Sequence, residues 1–431
     1  MRLLYSAAWW LALPLVLARL WWRGRKEPGY RQHWAERLGF YKGVPFDRAR
    51  QKALWIHAVS VGETRAAEPL IDALLSAYPD YTILLTHMTP TGRATGKDMF
   101  GAASPRVLQC YLPYDTGWMA ARFLRHFAPR ICVLMETEVW PNLIAQCVRH
   151  QIPVALVNAR LSERSLAKAR RLSGLMEEAA HGITAIAAQT ETDAARLRQL
   201  GARHVAVTGS IKFDVTPPPA ALIKGAALRA KTGSRPVLLC ASTREGEEVL
   251  ILDALQSAQW QDALIIIVPR HPQRFDDVAR LIASRGVPMC RRSALDGGGM
   301  AANTRILLGD SMGEMFAYYA ACDIAFIGGS LLPLGGQNLI EACALGKPVL
   351  IGPHTFNFSD VSEDAIAAGA ALRVEDAAVM LEQAGRLLRN KDEREVMGVN
   401  ASAFARQHRG ATLRTMAMLQ PMITEAPNAV S

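Results

Sequence analysis

Several acidic and cationic residues of this chain stand where an apolar run gives way to a turn, and that placing is what gives them chemical interest. Glu63 lies in Ser60-Val61-Gly62-Glu63-Thr64, a strand-to-helix turn. Its spacing from Ser60 matches a capping box, which needs no further role. The same carboxylate, facing a cleft, can act as a general base toward a hydroxyl. Both readings stand, and one group can satisfy both. A helix N-terminus favours the ionised carboxyl, so the turn predicts a lowered pKa for Glu63 and a weaker base. Glu136 and Glu138, in Met135-Glu136-Thr137-Glu138-Val139-Trp140-Pro141-Asn142, follow another apolar run. They can bind a ligand, orient a base, or open a helix with Pro141 in its first turn. Lys212, in Gly209-Ser210-Ile211-Lys212-Phe213-Asp214, is either a surface lysine or a counter-charge for a leaving phosphate or a substrate carboxylate.

The second half of the chain carries anion-binding patterns. Val268-Pro269-Arg270-His271-Pro272 fixes an arginine between prolines at a strand end, and arginine suits phosphate better than lysine does. In Gly309-Asp310-Ser311-Met312-Gly313-Glu314, Ser311 and Glu314 again match a capping box. Ser242 to Glu248 offers hydroxyls and N–H groups at another strand end. The richest stretch is Gly328-Gly329-Ser330-Leu331-Leu332-Pro333-Leu334-Gly335-Gly336-Gln337-Asn338-Leu339-Ile340-Glu341. Such a loop presents backbone N–H groups and a helix N-terminus to an anion, usually a phosphate. Asn338 and Glu341, three apart on the expected helix, can address one ligand. A nucleotide-sugar site accounts for these features together. No H-E-x-x-H, His/Cys cluster or paired-aspartate motif occurs, so the expected chemistry is metal-independent and uses no cofactor.

The elements that must position these residues alternate between strand and helix, the pattern of a parallel sheet covered on both faces. Strands are expected at 53–59, 82–86, 130–135, 153–158, 183–188 and 205–208, with a helix over 64–77. Thr216-Pro217-Pro218-Pro219 then reads as a stiff linker. The alternation restarts with strands at 237–241, 264–268, 305–308, 324–327 and 349–351. Two doubly wound halves meeting at a cleft follow, with ligands beyond the carboxyl ends of the strands. The Gly297-Gly298-Gly299 run is the one low-complexity segment, and the halves share no sequence repeat.

Composition agrees with a folded, two-domain protein. The chain has 431 residues, half of them hydrophobic, a net charge of +10 and seven cysteines without metal-ligand spacing. Reduced, mostly buried thiols in a cytoplasmic compartment fit that usage. No basic run interleaved with aromatics suggests nucleic-acid binding. The positive charge is dense instead at Arg19-Leu20-Trp21-Trp22-Arg23-Gly24-Arg25-Lys26, after an apolar run from Leu3 to Ala18. No small-residue cleavage site follows, so an anchor is expected rather than a signal peptide. A spanning helix needs about 20 apolar residues. This run is slightly short, so it tilts, lets Arg19 snorkel or lies in the interface, and a spanning orientation keeps the body cytoplasmic.

Taken in order, these motifs resemble the Kdo (3-deoxy-D-manno-octulosonic acid) transferases of lipopolysaccharide assembly. The match runs from Arg23-Gly24-Arg25-Lys26 through Ser-Val-Gly-Glu-Thr, Met-Glu-Thr-Glu-x-Trp-Pro-Asn, Lys-Phe-Asp, Pro-Arg-His-Pro, Met-Gly-Glu and Gly-Gly-x-Asn-x-x-Glu to Gly352-Pro353-His354-Thr355-Phe356-Asn357-Phe358. The resemblance implies an α/β fold of GT-B type, two Rossmann-like domains facing a cleft with an N-terminal membrane-anchoring helix. Its expected boundaries are an anchor over 1–26, an acceptor-binding domain over 27–215 and a CMP-sugar-binding domain over 220–431, with the last helix free to cross back. It implies transfer of Kdo from CMP-Kdo to a lipid A precursor at the cytoplasmic face of the inner membrane. Carried over by position, Glu63 is the proton acceptor, and Glu136 and Lys212 support the transition state. Pro269, Arg270, Met312, Gly313, Glu314, Asn338, Leu339, Ile340 and Glu341 are then the CMP-binding residues. The chain departs from many members at Gln337 and Ala342, where histidine and proline are usual. A GT-B enzyme using a uridine nucleotide and a non-catalytic membrane scaffold are the rival readings.

Overall fold

The computed structural model describes residues 1–48, 50–101, 104–257, 263–297 and 299–425. Gly298 of the glycine run, and residues 426–431 at the end of the expected second domain, lie outside that set. The chain divides into two compact units, Met1–Asp214 with Gly410–Ser431, and Val215–Arg409.

The first unit is built on β1 (Lys52–His57), β2 (Tyr81–His87), β3 (Val107–Tyr111), β4 (Ile131–Met135), β5 (Val154–Ala159), β6 (Ala185–Ala188) and β7 (Val205–Val207). Their order is β3-β2-β1-β4-β5-β6-β7, all parallel. Successive side chains leave a strand on opposite faces, so each apolar run feeds two cores. Trp55 of β1 and Cys132 and Leu134 of β4 enter one core, while Leu54, Ile56, Ile131 and Val133 enter the other. The second core also takes Ala411, Leu419 and Ile423 of the last helix, Ala411–Thr424. The Asp214 carboxylate accepts from the N–H groups of Gly410 and Thr412 and fixes the start of that helix. The second unit accordingly ends at Arg409, and the last helix belongs to the first.

The second unit repeats the plan with β8 (Val237–Thr243), β9 (Leu264–Pro269), β10 (Met289–Arg291), β11 (Ile306–Leu308), β12 (Ile324–Ile327), β13 (Val349–Ile351) and β14 (Ala371–Arg373). The order is β10-β11-β9-β8-β12-β13-β14, again parallel. The strand order reverses beside β1/β4 in one sheet and β8/β12 in the other. At such switch points the connections diverge and leave a ligand-sized crevice beyond the strand ends.

Strands β3, β10 and β14 are absent from the sequence expectation, and all three are sheet edges. An edge is only partly covered, so these short segments carry polar residues such as Gln109 and Arg291 rather than an unbroken apolar run. The helix expected over 64–77 begins earlier, as Val61–Ala77 with Ser60 as its cap. Among the described residues, one helix, Arg2–Arg23, is long and apolar enough to cross a membrane.

Candidate active site

In the first unit, the residues singled out for chemistry gather beyond the switch-point strands. The chain leaves β1 through Ala58 and Val59 and enters helix Val61–Ala77. The Ser60 hydroxyl accepts from the Glu63 N–H at 3.4 Å, and the Glu63 carboxylate accepts from the Val59 N–H at 2.5 Å. The cap therefore forms, with its return bond one residue further back than a capping box requires. The lowered pKa expected for this carboxyl is overturned. Burial, and then the Glu138 carboxylate, outweigh the Val59 N–H and push Glu63 up to about 7, with Glu136 adding to the rise.

Glu136 follows β4 in a left-handed conformation, φ +56°. A non-glycine residue held there marks a backbone constrained by its surroundings. Its N–H donates to the Val157 carbonyl at 2.9 Å, so the turn is pinned to β5. The Glu136 side chain is buried and pairs with Lys212 at 2.6 Å, with Arg160 at 3.7 Å on its other oxygen. Lys212 is thus no stray surface lysine. It rides a single 3₁₀ turn, Ile211–Phe213, whose position depends on Asn158. The Asn158 side-chain carbonyl accepts from the Ile211 N–H at 3.1 Å and the Ser210 hydroxyl at 3.3 Å, itself at φ +54° and fully buried. Glu138 accepts from the Trp140 indole at 2.8 Å, and burial and Glu136 raise its carboxyl against that bond. Three carboxylates and two cations therefore share one end of this sheet.

In the second unit, the glycine-rich loop follows β12 and differs from expectation in what it holds. The N–H groups of Gly329, Ser330 and Leu331 donate at 2.6, 3.0 and 3.0 Å to the carboxylate of Glu247. Glu247 is fully buried at the start of helix Glu247–Ser257 and also accepts from the Arg244 N–H at 2.8 Å. An internal carboxylate occupies the amide nest that the sequence reading assigned to a phosphate. The loop closes where the Gly336 N–H donates to the Gly329 carbonyl at 2.7 Å, with φ of +71° at Gly329 and +76° at Gly336. Gly328 has no room for a side chain, because an added Cβ would lie 2.6 Å from the Ser242 carbonyl oxygen.

Other polar groups of the loop bond to close neighbours beyond the strand ends. Arg270, following β9, donates from Nε to the Gln337 side-chain oxygen at 3.3 Å. Pro269 is buried as the last residue of that strand. The unusual glutamine is thereby an acceptor for the arginine beside it, a role that needs no charge. Asn338 precedes the helix rather than sharing it with Glu341; its side chain accepts from the Ile340 N–H at 3.0 Å, and the helix runs Ile340–Ala344. Leu339 and Ile340 are fully buried, backbone included, and the Ile340 N–H is already taken by Asn338. After β11, the Ser311 hydroxyl donates to the Glu314 carboxylate at 2.7 Å instead of capping an N–H. Glu314 is held by Arg292 at 3.2 Å and Lys224 at 3.4 Å, while Met312 is exposed and Gly313 sits at φ +72°. Sequence reasoning gave no role to Asn158, Arg160 or the Glu247 carboxylate, and left that of Glu138 open. Of these, only Glu138 and Glu247 stood in segments already marked for chemistry.

Residues 32–215 match the family model described as 3-deoxy-D-manno-octulosonic-acid transferase (kdotransferase). The chain is 47% identical over 414 residues to the 3-deoxy-D-manno-octulosonic acid transferase of Bordetella pertussis, covering 94% of this chain and 96% of that protein. It is 37% identical over 428 residues to the transferase of the same name from Haemophilus influenzae, covering 98% and 99%. Among solved structures, Anabaena HepE in complex with UDP superposes with a TM-score of 0.57 at 15% identity, over 87% of this chain and all of that one. That last likeness is one of fold.

Proposed function

The chain belongs to the Kdo transferase family of glycosyltransferases, and from that premise we propose that it moves Kdo from CMP-Kdo onto a lipid A precursor at the cytoplasmic face of the inner membrane. The displacement is inverting. Glu63 takes the proton of an acceptor hydroxyl, the freed oxygen forms a bond to the anomeric carbon of Kdo, and the bond from that carbon to the CMP phosphate breaks with its electron pair leaving on CMP. Glu136 and Lys212 support the transition state. Arg270 balances phosphate charge in place of a metal ion, and the segments Met312–Glu314 and Asn338–Glu341 hold the nucleotide.

The observation that carries this reading is the state of Glu63. Base catalysis works best when the pKa lies near the working pH, and this carboxyl is pushed up to about 7 beside the Glu136–Lys212 pair. A bare helix cap has no use for that displacement. The basic balance of the chain also suits a phosphorylated acceptor, whose local concentration it raises. The test is incubation of the purified protein with CMP-Kdo and tetraacylated lipid A precursor, followed by mass spectrometry. Addition of Kdo is expected, and Glu63→Gln should abolish it while CMP still raises the melting temperature. Wild-type-like turnover by that variant removes the base assignment. Stabilisation by UDP but not by CMP would redirect the reading to a uridine-nucleotide enzyme.

A further inference from the structure

The N-terminal helix Arg2–Arg23 is attached to the first unit along its whole length. A 22-residue helix is about 33 Å long, enough to cross the apolar part of a bilayer. Yet its first turn and its last both touch the same folded unit. At the start, Arg2 pairs with Glu178 at 2.7 Å. One turn on, the Ser6 hydroxyl donates to the Asn142 side-chain oxygen at 2.9 Å. Trp9 stacks on Tyr114, with ring centroids 5.7 Å apart. Leu13 and Leu17 pack with Leu20, Tyr30 and Met119, and at the far end Arg31 donates to the Trp21 carbonyl at 3.2 Å. Contacts at 2, 6, 9, 13, 17 and 20 trace one stripe of a helix.

The polar seat under this stripe is itself organised. The Asp115 carboxylate accepts from the N–H groups of Asn142 and Leu143 at 3.1 and 2.8 Å, and the Asn142 amide donates to the Asp115 carbonyl at 2.7 Å. Ser6 therefore meets a fixed, buried partner. A spanning helix would carry Arg2 and Ser6 to the far side of the membrane, beyond reach of Glu178 and Asn142.

The opposite face has no such partner among the described residues. Leu3, Leu4, Trp10, Leu11, Leu15 and Trp22 are between 49 and 86% exposed. This is a long apolar ridge of the kind that soluble surfaces avoid. No residue from 1 to 26 is acidic, and Arg19, Arg23, Arg25 and Lys26 are exposed at its carboxyl end. Arg25 and Arg31 stack over Trp21, and Arg23 over Tyr30, at 4.9, 5.0 and 4.2 Å from the ring centroids. The exposed Trp21 ring, joined to cations in this way, is a usual resident of a headgroup layer, while Tyr30 is buried against the first unit.

We propose that this helix is an in-plane anchor: it stays docked on the first unit and sinks its outward ridge into one leaflet of an anionic bilayer without crossing it. The occupant is a lipid surface because the exposed ridge is apolar along its length and its flank is purely cationic, which matches acyl chains beside acidic headgroups. The proposal stands apart from the catalytic reading, since its test reads depth and not turnover.

The test uses the full chain with Cys290→Ser and a single added cysteine, Leu3→Cys, Leu11→Cys or Trp22→Cys, each labelled with an environment-sensitive fluorophore. All three positions are exposed, so the fold is not at stake. On vesicles of phosphatidylethanolamine and phosphatidylglycerol, all three probes should shift to the blue and be quenched alike by a shallow nitroxide lipid. A graded pattern, with Leu11 deepest and Leu3 and Trp22 at opposite surfaces, is the signature of a spanning helix and overturns the proposal. So does the absence of any shift, or a concentration-dependent shift without vesicles, which would seat a second copy on the ridge. Arg23→Gln should weaken binding to these vesicles about fivefold, a basic residue near an anionic surface contributing about 1 kcal/mol, and leave binding to phosphatidylcholine vesicles unchanged. Equal loss on both surfaces would remove the acidic lipid from the proposal.

Discussion

Glu63 is shaped by two demands that pull its proton in opposite directions. The Val59 N–H stabilises the anion, while burial and Glu138 oppose it and prevail, leaving the carboxyl at about 7. In its proposed role as base it must be ionised, so transfer should rise with pH through about 7 and level off above it. Glu138→Gln removes a neighbouring negative charge, so the midpoint of that rise should fall in a kcat/KM profile with plateau turnover retained. An unchanged midpoint would separate Glu138 from the reaction. Stability must run the other way. The folded state holds this proton to a higher pH than the unfolded chain, whose carboxyl titrates near the model-peptide value of about 4.3. Ionising Glu63 therefore costs the native state progressively as pH climbs from the unfolded value to about 7. Activity and stability are thus set against each other at one residue.

At the scale of elements, what the sequence made legible follows from burial. Central strands such as β4 and β12 are covered on both faces and read as unbroken apolar runs, Ile131–Met135 and Ile324–Ile327. Edge strands β3, β10 and β14 are covered unevenly and gave no period to find. The strand-end turns were legible because Gly, Ser, Glu and Asn announce them, but their hydrogen bonds were not. Nothing in the spacing of Glu247 from Gly329 tells that 82 residues of chain bring them together. Asn158 was hidden for the same reason, since its partners at 210 and 211 come from another strand end. Replacing Glu247 with Gln keeps the shape but takes the charge from four N–H donors. Charge-assisted bonds contribute about 1.5–3 kcal/mol each, and they share one acceptor group. A loss of about 2–4 kcal/mol in urea unfolding is expected, with weaker nucleotide binding. Glu248→Gln is the contrasting change, because it breaks the bidentate pair with Arg274 at 2.8 and 2.9 Å and leaves the loop amides satisfied.

The whole chain is organised so that its last helix completes its first unit. Removing residues 410–431 strips Leu419 and Ile423 from the core that backs helix Val61–Ala77 and deprives the Asp214 carboxylate of its partners. Burying a Leu or Ile side chain contributes about 1.5–3 kcal/mol, and a domain has only about 5–15 kcal/mol in hand. Thermal unfolding of the truncated chain should therefore show the first unit melting far earlier while the second keeps its transition. Thiol chemistry gives a second reading of the same packing. Six of the seven cysteines are buried and Cys290 is partly exposed. One thiol should react with a soluble disulfide reagent in the folded protein and the others only after denaturation.

The carboxylate inside the glycine-rich loop also bears on how tightly a ligand is held. A loop that waits for a phosphate to order its amides must lose conformational freedom at the moment of binding, and that cost is subtracted from affinity. Here Glu247 has already ordered Gly329, Ser330 and Leu331. The entropy of that ordering is settled during folding, so a nucleotide bound here as proposed would meet a finished surface. Amide hydrogen exchange at these three positions should then be slow in the empty protein and change little when CMP is added, with ligand-dependent protection confined to the segment from Gly336 onward.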